Sequence, residues 1–201
     1  AAQCTYAPLD GDMWERKYVL LGLSHYYTDI EQDPKVLAAM EKEAASIMAQ
    51  VGPDKIPIKY FGWSNNHVES STLLEPVMRL YALTGNAKYL DFAAEMLPDW
   101  DRADGAHPNF FRNAKLDKPL YDWYPEPWEW AKSYEFMSCV DGLLEYYRVT
   151  GESRCLETAR AIRDNLAKND ANPFGAVGFG DKLIGAPQYV NGLNEVCDII
   201  H

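Results

Sequence analysis

The sequence is poor in cysteine. Four stand in 201 residues, Cys4, Cys139, Cys155 and Cys197, with no C-x-x-C spacing and no close cluster. A chain of this length needs no disulfide framework to fold, so free and mostly buried thiols are expected. Positive charge is also short. There are 19 Lys and Arg against 30 Asp and Glu, a net charge of -11 and a pI ≈ 4.8. Nucleic-acid backbones and anionic membrane surfaces both select basic patches, so neither is an expected partner. Neutral and cationic substrates stay open. No run of 18 apolar residues occurs, and no membrane-spanning helix is expected. No basic-then-apolar leader stands at the start, so no signal peptide is expected, although "AAQC" outlines a lipoprotein cleavage site at Cys4 with Gln3 where a small residue belongs.

What is present is globular. Hydrophobic residues make up 47% and charged ones 24%, and 6 Trp and 13 Tyr are more rings than a tail or linker carries. The length fits one ordinary domain or part of a larger one.

Three segments resemble one another: "YVLLGLSHYYTDIEQDPKVLAAMEKEAASIM", "LLEPVMRLYALTGNAKYLDFAAEML" and "MSCVDGLLEYYRVTGESRCLETARAIRDNL". Each reads as helix, short turn, helix. Gly85 and Gly151 stand where a helix C-cap glycine belongs, and Pro34 suits an early helical position. Leu74, Val77, Met78 and Tyr81 form one apolar stripe at helical spacing; Val140, Leu143, Leu144 and Tyr147 form another. Tyr27, Tyr81 and Tyr147 stand in equivalent places before the turns, roughly 55 to 65 residues apart, within the range of helical arrays. Long connections remain, "VGPDKIPIKYFGWSNN" and "DWDRADGAHPNFFRNAKLDKPLYDWYPEPWEWAKS", and long loops in a compact helical domain are usually functional. The predicted fold is all-α, a partial α/α toroid of helical hairpins, part of an (α/α)6 barrel. Residues 1–201 are expected to form a single domain, a fragment of a larger α/α-barrel catalytic domain.

Four stretches could carry chemistry. "YDWYPEPWEW", with Trp128, reads either as a platform whose rings stack on sugars or as a proline-rich loop pinned by its aromatics. "GWSNNHVESS" offers Trp63, His67 and Glu69; the H-x-E spacing could hold a metal or orient a substrate, or be surface, and Asn66 could cap a helix. "KSYEFMSC" brings Glu135 to the start of an apolar helix. There it either complements the helix dipole or points inward as an acid, base or hydroxyl ligand. The glycine-broken run after Phe174 leads to "NEVCDII", where Glu195 and Cys197 could both reach one borderline metal ion, or Cys197 could be a buried thiol.

"WERKYVLLGLSHYY" (residues 14–27), "KSYEFMSCVDGLLEYYRVTG" (132–151) and "VGFGDKLIGAPQYVNGLNEVCDII" (177–200) together resemble the amino-terminal half of the catalytic barrel of glycoside hydrolase family 127, the β-L-arabinofuranosidase group. The resemblance covers most of the chain; its last part is the chemically diagnostic one. It implies a retaining glycosidase, with Glu195 and Cys197 as zinc ligands and a cysteine nucleophile from an adjacent pair further along the barrel. Zinc holds thiolates deprotonated, which would let a cysteine attack without a separate base, and a carboxylic acid would protonate the leaving oxygen. It also implies a carbohydrate substrate, the remaining half of the barrel as structural partner, and a secreted or periplasmic setting. Trp63, His67, Trp128 and Glu135 are the candidate substrate-binding residues.

The sequence departs from the family in three places. No Cys-Cys pair occurs in residues 1–201. "LIGAPQY" has Ala186 and Pro187 where the general-acid glutamate is expected. Thr72 stands about where a substrate-binding histidine belongs, with His67 a few residues earlier. Two rival expectations follow: an α/α-barrel sugar epimerase or uronyl hydrolase that works without zinc, and a non-catalytic helical-repeat module that binds glycan or protein.

Overall fold

The structure is a computed structural model that describes residues 12–52, 54–58, 68–104, 108–123 and 133–170. The described chain is helical. It comprises α1 (Asp12–His25), α2 (Pro34–Gln50), α3 (Val68–Ser71), α4 (Leu74–Thr84), α5 (Ala87–Ala94), α6 (Phe110–Asn113), α7 (Ser133–Thr150) and α8 (Ser153–Asn165). Among the described residues the one β-type pairing is a parallel bridge between Val51 and Ile56. None of the described helices is long and apolar enough to cross a membrane.

The three predicted hairpins are α1–α2, α4–α5 and α7–α8, and their turns follow local chemistry. Gly85 and Gly151 end α4 and α7 in the left-handed region (φ 65° and 73°), where a side chain is strained. Their N–H groups donate to the carbonyls of Tyr81 and Tyr147 at 2.7 and 2.8 Å. In both turns the preceding threonine folds back: Thr84 and Thr150 donate to the Leu80 and Tyr146 carbonyls and accept from the N–H of Asn86 and Glu152. The first hairpin turns differently. α1 runs into one π-helical turn, Tyr26–Ile30, and Asp33 then caps α2 by accepting from Lys35 N–H at 2.8 Å, with Pro34 in the first turn.

The helices form two layers. α4 packs against both α1 and α7, while α2, α5 and α8 each back onto their own hairpin partner. Contacts between the three inner helices give their direction. Trp14 and Lys17 on α1 meet Tyr134 and Ser138 on α7, and Leu74 and Arg79 on α4 meet Gly142 and Glu145 on α7. Both pairings advance in step, so α1, α4 and α7 run parallel, with α3 set against Cys139 and the first turn of α4 against Gly142 of α7. The core between the layers holds Met40, Ile47, Val77, Tyr89, Cys155 and Ile162, among others.

Three expectations change. Of the stripe predicted on α7, Leu143 is buried, but Leu144 is 37% exposed and Val140 and Tyr147 are half-buried. The inward face is instead Glu135, Phe136, Ser138, Cys139, Gly142 and Tyr146, because two small residues and a carboxylate replace apolar bulk where α4 approaches. The second long connection is not an open loop. Leu97–Trp100 forms a 3₁₀ turn at its start and Leu120–Trp123 another within it, with α6 a short helix between them; Trp100 meets Phe110 edge-to-face and Phe111 at a tilt of 48° in the core. Finally, the second hairpin is preceded by a separate turn, α3. Pro76 has no N–H to give the Thr72 carbonyl, so α3 and α4 break at Thr72–Leu73.

Candidate functional site

The parallel layer collects its polar side chains at one end. Glu69, Glu75 and Glu135 lie in the first turns of α3, α4 and α7 and are 2%, 5% and 2% exposed. A carboxylate is favoured at a helix N-terminus by the dipole, which offsets part of the cost of taking the charge from water. Glu75 accepts from Arg79 Nε at 3.0 Å, one turn along α4.

Among these acids sits one buried ammonium. Lys17 of α1 is 1% exposed, and its Nζ donates to Ser138 Oγ on α7 at 3.2 Å. Three rings surround it. Nζ stands 4.9 Å from the Trp14 ring, 4.4 Å from Tyr18 and 5.6 Å from Tyr134. Tyr18 and Tyr134 stack at 12°, and Trp14 meets both edge-on. Ring faces attract a cation most strongly where water is excluded. Burial pushes the Lys17 pKa below the usual lysine value; the negative groups around it, Glu75, Cys139, Asp141 and Glu135, push it back up.

Cys139 completes the cluster. It is fully buried, and its Sγ donates to the Val68 carbonyl at 3.4 Å, tying α7 to α3. Burial drives its pKa well above that of a free thiol, and Glu135 and Glu69 add to the rise while Lys17 opposes it. The thiol therefore stays protonated and serves as packing. Cys155 is likewise buried, with its pKa raised to about 12 by burial first and Glu152 second. These two cysteines fit the expectation of free, buried thiols.

Of the residues singled out in the sequence, Glu135, Glu69 and Thr72 are described, and all three are buried, Glu135 and Glu69 in the α1–α3–α4–α7 cluster. Trp63, His67, Trp128, Glu195 and Cys197 lie outside the described residues, as does Asn66. In the aromatic stretch Tyr121–Trp130, Trp123 is 6% exposed and packs on Phe136 at 5.7 Å. Among the described residues no group of three or more His, Cys, Asp or Glu side chains is placed to hold a metal ion.

Sequence reasoning passed over Lys17 and Glu75. The inward stripe of α1 is Met13, Arg16, Lys17, Leu20 and Ser24, and apolar periodicity does not flag a stripe that includes two cations. Arg16 is held by Glu43 of α2 at 2.5 Å, which explains how it is tolerated inside. The available signal was two cations, Arg16 and Lys17, at i+3 and i+4 from Met13 and one turn before Leu20 on the same face of α1.

No family model matches the chain, and no curated protein matches it either.

Proposed function

We propose that this chain belongs to the catalytic barrel of a retaining glycoside hydrolase of β-L-arabinofuranosidase type, acting on non-reducing sugar ends. The observation that carries the reading is the polar end of the inner layer. Three hairpins set α1, α4 and α7 side by side and parallel, an arrangement that an α/α toroid would continue around a central funnel. Their N-terminal ends concentrate Glu69, Glu75 and Glu135, the residue type that binds sugar hydroxyls and supplies acid catalysis in retaining glycosidases. In sequence, Trp63 and His67 lead into α3, and Trp128 leads into α7. In this reading these residues join Glu135 as the sugar-binding set, with Glu135 as hydroxyl ligand.

Zinc in this reading rests on the resemblance at Glu195 and Cys197. The cysteine nucleophile would come from outside residues 1–201, and no step is routed through the metal. A zinc-free barrel enzyme, an epimerase or uronyl hydrolase, is the second reading. It is favoured by the buried carboxylates, which offer acid–base chemistry without any metal.

The test is hydrolysis of an aryl β-L-arabinofuranoside by the full-length protein, with metal analysis of the same sample. Turnover lost on chelation, restored by zinc and abolished in Cys197→Ser supports the proposal. Sugar turnover that survives chelation transfers the case to the zinc-free enzyme. Absence of both zinc and turnover, with glycan binding retained, leaves a binding module.

A further inference from the structure

The Lys17 ammonium has no place in the reading above, yet it is buried and held by one hydrogen bond and three ring contacts. It is anchored to α7 at two points. Tyr134 lends its ring and Ser138 its hydroxyl oxygen. These two residues bracket Glu135, one position before it and three after it on the same helix. A helical residue and its i+3 neighbour share a face, so the Lys17–Ser138 bond fixes the turn on which Glu135 rides. The rings of Trp14 and Tyr18 come from α1 itself and hold the ammonium from the other side.

Among the described residues, charged and titratable groups face this point from each inner helix. α3 contributes Glu69; α4 contributes Glu75, which is paired with Arg79; α7 contributes Glu135, Asp141 and the protonated Cys139; on α1 the neighbouring cation, Arg16, is turned to Glu43 of α2. Lys17 is therefore the cation that α1 brings to the acids of both neighbouring inner helices.

We infer that Lys17 is a positioning residue for Glu135: held to Tyr134 and Ser138, its ammonium seats the first turn of α7 and with it the Glu135 side chain, for recognition of a sugar hydroxyl. The sugar rests on the function proposed above; the coupling of Lys17 to Glu135 does not. The alternative is that Lys17 only ties α1 to α4 through Glu75.

Two measurements on the full chain separate these. Lysine labelled at Cε is followed by NMR through its titration in the parent, Glu135→Gln and Glu75→Gln proteins. If Lys17 serves Glu135, removing that carboxylate lowers the proton affinity of Lys17 by about twofold or more. A Lys17 midpoint that moves in Glu75→Gln and stays put in Glu135→Gln overturns the inference, and so does one that moves in neither.

The second measurement is the KM for an aryl β-L-arabinofuranoside. Lys17→Met is expected to raise KM about tenfold with a much smaller change in kcat, and Lys17→Arg to recover part of the loss. Equal losses in Lys17→Met and Lys17→Arg would overturn the positioning role. Should Lys17→Met fail to fold, the titration in Glu135→Gln, an isosteric change, still decides. A parent protein without arabinofuranosidase activity overturns the proposed substrate and leaves the titration as the arbiter of Lys17.

Discussion

Gly142 of α7 lies against Leu74 of α4 so closely that a Cβ on the glycine would fall 3.0 Å from the Leu74 Cβ and 3.2 Å from the Glu75 backbone nitrogen. The second contact is backbone in the first turn of α4 and cannot swing aside. This crossing sets the spacing of the two inner helices that carry Glu75 and Glu135.

Replacing Gly142 with alanine is therefore expected to destabilise the protein. Helix propensity favours alanine by up to ~1 kcal/mol, but overpacking a tight crossing costs ~1–3 kcal/mol. Gly22, exposed on α1 with nothing within 4 Å of its Cβ position, is the control. Gly22→Ala is expected to stabilise by ~0.5–1 kcal/mol. Denaturant midpoints that shift in opposite directions for the two variants would bear this out; a stabilising Gly142→Ala would show that the crossing can relax.

The turn glycines are expected to behave differently from Gly142, since they are limited by backbone angle rather than by space. At φ 65° and 73° an added Cβ meets no neighbour within 4 Å at either Gly85 or Gly151. Gly85→Ala and Gly151→Ala should each cost ~1 kcal/mol through left-handed strain. Asparagine at the same sites should cost less than alanine, and thermal unfolding of the four variants would rank them.

Asp170 carries the pH dependence. It is 1% exposed, and both its carboxyl oxygens accept from the Leu120 N–H at 3.2 Å, holding the start of the Leu120–Trp123 turn. Burial raises its pKa to about 6, against the Leu120 hydrogen bond, and Asp122 adds to the rise. A carboxyl that binds its proton more tightly folded than unfolded favours the folded state at low pH. The contribution is whole below the unfolded pKa, near 4, and is lost as pH rises through about 6. Asp170→Asn keeps an acceptor for Leu120 and removes the titration. Its stability between pH 4 and 7 should be flatter than that of the parent, as read by unfolding at one-unit steps. An unchanged slope would assign the effect to other groups.

Cys139 and Cys155 should resist thiol reagents. Both are buried, and both are held as thiols at neutral pH by burial. Peptide mapping after brief alkylation at pH 8 is expected to leave these two unmodified until denaturant is added. Rapid labelling of Cys139 in the native protein would mean that the α3–α7 contact opens readily.

The hairpins were legible because their signals are local. A threonine–glycine pair after an apolar stripe specifies a left-handed cap and a turn whatever lies beyond, and α4–α5 and α7–α8 repeat it bond for bond. The acid at the start of α7 was legible as well, since Glu135 interrupts an apolar run. Its neighbours were not. Lys17 stands 121 residues from Ser138, and a lysine in a stretch of mixed polarity reads as a solvated face until another helix covers it. The rotation of α7 was equally hidden. Leu144 is as apolar as Leu143, but Gly142 lets α4 approach on one side only.

By itself, then, the sequence determined what depends on near neighbours along the chain: helical periodicity, glycine and threonine turns, and the Asp33 and Pro34 start of α2. Tertiary structure alone decided which charges are inside. Burial of Lys17 among rings and carboxylates, the two-oxygen grip of Asp170 on Leu120, and the protonated state of Cys139 all arise from groups far apart in sequence that packing brings out of water together. Desolvation and Coulomb energy depend on that assembled environment and not on the identity of the residue alone.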